Sequence, residues 1–323
     1  MSEEPVPNND DKEAKKIAGR KKRVITGYRA ATLAYLASPI MLLVKYRSIA
    51  WSQVYVLAGP VLASGVAHVL TDAAVKDRLQ SDTYKRLNLS LGAYAALTLS
   101  MVPLAPDTFA NPFFLVPALL GLINCSKGYA YGVLGWDKKT GSFKEDLFLG
   151  VKSTIQKLVL TFPNNLASLG YLGATLTLGG MKLAKLADLG SLMQLESTTS
   201  FLIATRFSRI AKLSLLTAVL FTLKDAADQD LLGGTTFIEL NFLSSFILGT
   251  LAGRLNVFRL QELFSCGNFI SIISNTMLLL LLWFLHLAYL SPGGAVTKLG
   301  GAISFFALFT AFNGVVGLVL KKK

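Results

Sequence analysis

FISIISNTMLLLLLWFLHLAYL, running from Phe269 to Leu290, contains no Asp, Glu, Lys or Arg. About 20 apolar residues suffice to cross a hydrocarbon core as one helix. Comparable runs lie at 30–44, 52–75, 87–105, 112–133, 207–224, 235–253 and 296–320, and the quoted run reaches back to 264. The sequence therefore predicts an all-α fold, a polytopic integral membrane helix bundle of about eight spans with interfacial amphipathic helices.

Composition agrees. The chain is 52% hydrophobic and 16% charged, with a mean hydropathy of +0.51. Soluble domains carry about 25% charged residues, so this chain is short of groups to solvate an aqueous surface. The net charge is +13, which in a soluble protein would suggest nucleic acid. Here Lys and Arg gather at the ends of apolar runs, so the expected partner is a bilayer with anionic headgroups and not nucleic acid. Cys125 and Cys266 sit inside apolar stretches and read as small buried hydrophobes, without a disulfide framework or a metal pattern.

Four regions follow. Residues 1–29 read as a basic, largely disordered cytosolic tail, with Lys12, Lys15, Lys16, Arg20, Lys21, Lys22, Arg23 and Arg29 after an acidic start. Residues 30–134 form a first membrane half of four spans, and 207–323 a second. Tyr46, Trp51, Tyr55, Trp136 and Tyr289 flank these runs as interfacial aromatics. Positive-inside counting puts both termini in the cytosol, of an endomembrane by preference. It also requires 137–206 to begin and end on one side, because Arg206, Arg209 and Lys212 precede a span and Asp225, Asp228 and Asp230 follow it.

The region 135–206 should then be interfacial. Phe143, Leu147, Val151, Ile155, Leu158 and Phe162 share one helical face, opposite Lys144, Glu145, Lys152 and Lys157. This predicts an amphipathic helix lying on the membrane or packed on the protein's own bundle. The weakly apolar 165–181 crosses twice with its neighbour or not at all. Glu196 weakens a second span near 186–205, which favours a shallow hairpin.

Ionisable or polar groups at membrane depth are candidate functional residues. His68 and Asp72 lie one turn apart and could relay a proton, although Asp72 could equally pair with Lys76. Asn268, Ser271, Asn275 and His286 share a face of the eighth run, with Asn313 on the last. They read as a polar lining for a solute, or as hydrogen-bond glue between helices. Asn241, Ser245, Gly249 and Gly253 recur every fourth residue, a surface for helix packing or self-association in a homo-oligomer or membrane complex. Glu239 completes a capping box with Thr236. Asp225, Asp228 and Asp230 read as a solvated acidic turn and not as a magnesium–diphosphate site. Neither a catalytic motif nor a cofactor or metal motif is found.

The leading functional expectation is a transporter or channel for a small solute or ion. The alternative is a non-catalytic protein that shapes a membrane or scaffolds a complex. A membrane-embedded enzyme acting on lipids or isoprenoids comes third, since no paired catalytic groups face each other.

Overall fold

A computed structural model describes residues 9–46, 51–135 and 200–229, and part of 168–183 and 231–247. Six helices have defined ends: α1 Asn9–Tyr46, α2 Trp51–Val75, α3 Asp82–Ser100, α4 Pro106–Phe109, α5 Pro112–Gly128 and α6 Ser200–Asp228. A π-helical turn, Tyr129–Val133, continues α5. The described residues of 168–183 and 235–247 are also helical, and no strand occurs among the described residues. The all-α expectation therefore holds.

α1 is 38 residues long and makes residues 9–29 helical, where the sequence predicts a largely disordered tail over 1–29. Its buried positions Val24, Tyr28, Ala31, Tyr35 and Ser38 alternate in steps of four and three, the spacing of a packed helical seam. Ile17 and Lys21, both partly buried, extend that seam towards the N-terminus. The polar first half is rich in Lys, Glu, Ala and Arg, which are good helix formers. Lys21 pairs with Asp77 at 2.6 Å, and the Arg20 guanidinium lies 5.3 Å from the Tyr131 ring centre. Those two contacts hold the polar half against the turn after α2 and the end of α5.

α5 contains Pro117, which has no N–H to offer the carbonyl of Phe113 four residues earlier. Ser38 of α1 donates its hydroxyl to that carbonyl at 2.7 Å. The backbone group stranded by proline is thus satisfied by a neighbouring helix. Lower down, Tyr28 donates to Asn88 Oδ1 at 2.6 Å, and Asn88 Nδ2 donates to the Cys125 carbonyl at 3.0 Å. One buried amide therefore ties α1, α3 and α5 at a single level. Asn88 opens the tripeptide Asn88-Leu89-Ser90, a glycosylation sequon, but its burial leaves no exposure for a glycan.

The bundle has two distinct ends. At the near end lie the Lys21–Asp77 pair and the Arg20–Tyr131 stack, and Leu79 packs over Gly132. At the far end Met101, Ala105 and Phe109 pack with Ala204, beside Phe207. α6 thus starts at the far end and descends antiparallel to α3, bringing Asp225 to Arg86 near the start of α3. α5 finishes at the near end and α6 begins at the far end, so Gly135 and Ser200 lie at opposite ends of the bundle.

The described residues between them run from the near end towards the far end. Ser168 contacts Asp228 near the near end, and Tyr171 contacts Asn241 further up. Ser168, Tyr171, Thr175 and Leu178 are buried along one face. The described residues of 168–183 thus pack lengthwise along the bundle, where a shallow hairpin is the sequence expectation. The interfacial residues Phe143, Leu147, Val151, Ile155, Leu158 and Phe162 lie outside the described residues, as do the last two expected spans.

Among the described residues, two helical stretches, Ala58–Val75 and Pro112–Val133, are long and apolar enough to cross a membrane. Large apolar side chains also face outwards, with Leu33 at 66% exposure, Ile40 at 52% and Ile123 at 47%.

Candidate functional site

The most unusual chemistry lies at the near end of α6. Phe221, Lys224, Asp225 and Asp228 fall at i, i+3, i+4 and i+7, which places all four on one side of the helix. That side faces inwards. Lys224 is fully buried and pairs with Asp228 at 2.6 Å. Asp225 accepts from Arg86 Nη2 of α3 at 2.9 Å, and these side chains are only 9% and 10% exposed. Ser168 donates to Asp228. The Arg86 guanidinium also lies 4.4 Å from the Phe221 ring centre, a cation–π contact.

Two cations and two carboxylates thus balance in a buried cluster drawn from three parts of the chain. Removing an ion from water costs several kcal/mol even after relaxation, so such a cluster persists only with close pairing. The pairing here is incomplete: Arg86 Nε and Nη1 are buried and have no hydrogen-bond partner among the described residues. The solvated acidic turn expected at Asp225 and Asp228 is corrected: both carboxylates are buried and paired with cations. The missed signal is the run Phe221-Thr-Leu-Lys-Asp-Ala-Ala-Asp228, in which Lys224 and Asp228 are one turn apart on the buried side of an otherwise apolar helix.

The residues singled out from sequence separate. Asp72 accepts from Lys76 at 2.8 Å and does not engage His68. His68 Nε2 instead lies 3.8 Å from Glu239, with both side chains exposed, at 60% and 44%. Thr236 meets the Tyr84 hydroxyl at 3.4 Å. Asn241 is buried and accepts from Tyr171 at 2.6 Å, while its Nδ2 has no partner among the described residues. It joins two segments within the chain. Ser245, Gly249 and Gly253 lie outside the described residues. The same holds for Asn268, Ser271, Asn275, His286 and Asn313.

No family model matches the chain, and neither a curated protein nor a solved structure matches it. Function must be read from the geometry. A cleft lined by Ala58, Gly59, Leu62, Lys212, Leu216 and Ile247 has a volume of about 10 Å³. That is room for one water at most, so this cleft is not a solute path. No metal-ligating group of three or more residues occurs among the described residues. Asp225 and Asp228 are each committed to a cation, which opposes their use as metal ligands. What the cluster can do is exchange partners: two cations and two anions close together permit more than one pairing.

Proposed function

We propose that this chain is a multi-pass helical membrane protein that passes a small solute or ion, with the charge cluster at the near end acting as a gate. The observation that carries this reading is the burial of Lys224, Asp225 and Asp228 with Arg86 inside a bundle whose outer faces are apolar. Ionisable groups facing the interior of a membrane bundle are costly to bury and are functional-site candidates by default, ion and proton pathways among them. The donors of Arg86 that lack a partner among the described residues give the cluster a second pairing to move into.

The test uses the full chain in proteoliposomes, with indicators for protons, a monovalent cation and a halide. Asp228→Asn should lower whichever flux the protein carries by about tenfold or more, equivalent to some 1.4 kcal/mol of barrier. Unchanged flux in a folded variant would remove the gate. Replacing Asn268, Asn275 and His286 tests the expected polar lining separately.

A second reading, a scaffold held rigid by the same cluster, has one observation in its favour. The described helices pack tightly, and the cleft between α2 and α6 is too small for a solute. A brace tolerates replacement of a buried pair by apolar residues of similar volume. Arg86→Met with Asp225→Leu would therefore leave a scaffold folded and competent, and would abolish flux through a gate.

A further inference from the structure

We infer that the exposed basic side of α1 around Lys22, Arg23 and Arg29 is a docking face for anionic lipid headgroups of one leaflet, with the headgroup phosphates level with Arg29 and Lys127. The inference rests on the membrane reading above and adds where the bilayer surface lies on this molecule.

One face of α1 changes character abruptly. Lys15, Lys22, Arg29 and Leu36 recur every seven residues, a spacing that drifts only about 20° per step and so keeps them on one line. All four are exposed, and Leu33 and Ile40 lie beside Leu36. Up to Arg29 the line is basic; from Leu33 onwards it is apolar. α5 repeats the change independently, with Ile123 exposed and Lys127 exposed one turn later. Tyr28 packs against Gly128, so the two changes occur at the same height. α2 adds a third mark. Ser64 donates to the Thr32 carbonyl of the antiparallel α1, which puts His68, one turn on, at that height too.

A boundary shared by adjacent helices is what a flat interface between acyl chains and headgroups imposes. A nucleic acid or an acidic protein would account for the basic half alone. The continuous apolar half, with Leu33 at 66% exposure, selects lipid.

Magnitudes then separate the basic residues. At 1.5 Å per residue, Lys22 and Arg23 lie about 10 Å beyond Arg29 along the helix. Lys15 lies about 21 Å beyond it, and Lys12 further still. The headgroup layer is about 6 Å deep and the screening length about 8 Å at physiological salt. Arg29, Arg23 and Lys22 are therefore within reach of anionic lipid, whereas Lys12, Lys15 and Lys16 project past it. Arg20 and Lys21 are already engaged by Tyr131 and Asp77.

The experiment compares two triple variants of equal charge loss in the full chain, reconstituted in phosphatidylcholine nanodiscs with a minor fraction of phosphatidylglycerol. Enrichment of spin-labelled phosphatidylglycerol over spin-labelled phosphatidylcholine around the protein is measured at physiological salt, where the screening length is about 8 Å. Lys22→Gln/Arg23→Gln/Arg29→Gln should lower it by about fivefold per charge removed, until no preference remains. Lys12→Gln/Lys15→Gln/Lys16→Gln should leave it within about twofold of the parent. Equal losses in the two variants, or no loss in the first, would overturn the docking face while leaving the membrane reading standing. A chain that leaves the nanodisc and stays monodisperse in buffer would overturn both.

Discussion

Ser38 and Pro117 show how much of this bundle is settled by single side chains. Pro117 removes the donor that the Phe113 carbonyl would have had, and Ser38 supplies another at 2.7 Å. Hydrogen bonds between membrane helices contribute about 0.6 kcal/mol on average, and a carbonyl without a helical donor should depend on its partner more strongly. Ser38→Ala is expected to lower stability by about 1–2 kcal/mol, measured by equilibrium unfolding in mixed micelles. In a Pro117→Ala background the helix regains its own donor, so the same change should cost markedly less. A double-mutant cycle showing no coupling would refute the assignment. None of this was legible in the sequence, because proline and serine are 79 positions apart and only the pairing of α1 with α5 brings them together. Asn88 teaches the same lesson: its sequon is visible locally, while its bonds to Tyr28 and Cys125 require three helices.

At the scale of elements, spans were easier to see than the direction in which they run. α2 and α5 match the apolar runs 52–75 and 112–133 closely. Charge counting treats every Lys, Arg, Asp and Glu as solvated and does not register those that are buried or paired. Lys212 lays its aliphatic stem over Gly59, behaviour open to a long amphipathic side chain. Asp225 and Asp228 are neutralised by Arg86 and Lys224, so they mark no outer surface. The helical nature of 9–29 was legible in its Lys, Glu and Ala content and in the seam through Ile17 and Val24, but a charge run invites a disordered reading. Antiparallel α3 and α6 make a concrete prediction for single cysteines placed in a background lacking Cys125 and Cys266. Lys127→Cys and Gln229→Cys, both at exposed positions near the near end, should react with an impermeant maleimide from the same side of sealed vesicles. Ala110→Cys, exposed at the far end, should react only from the other. Labelling of Lys127→Cys and Gln229→Cys from opposite sides would restore the arrangement expected from charge counting.

For the whole molecule, the class was readable from its apolar runs, while the residues expected to line a path lie mostly outside the described residues. The charge cluster emerged only when α3, α6 and the residues near 168 came together, because the Arg86–Asp225 ion pair and the Ser168–Asp228 hydrogen bond join distant positions. The levels marked by basic and polar residues also give the bundle a thickness. On α5 the apolar stretch is bounded by Lys127 and the cap residue Asn111, whose side chain accepts from the Phe113 N–H. Those positions are about 24 Å apart along the helix at 1.5 Å per residue. On α3 the 19 residues from Asp82 to Ser100 span about 28 Å in all, and Arg86 shortens the uncharged part to about 21 Å. A typical hydrocarbon core is about 30 Å thick, so under the proposed membrane reading these helices would match a thin bilayer. Mismatch costs fractions of a kcal/mol per Å, which over about 6 Å amounts to a few kcal/mol. The Tm of the reconstituted chain is therefore expected to be highest in short-chain phosphatidylcholine and to fall by several degrees as the acyl chains lengthen. A Tm that rose with chain length would mean that the bilayer surface does not cut the molecule at Arg29 and Lys127. The headgroup docking face would then fail with it, because Arg29 and Lys22 would no longer sit at the depth where anionic phosphates lie.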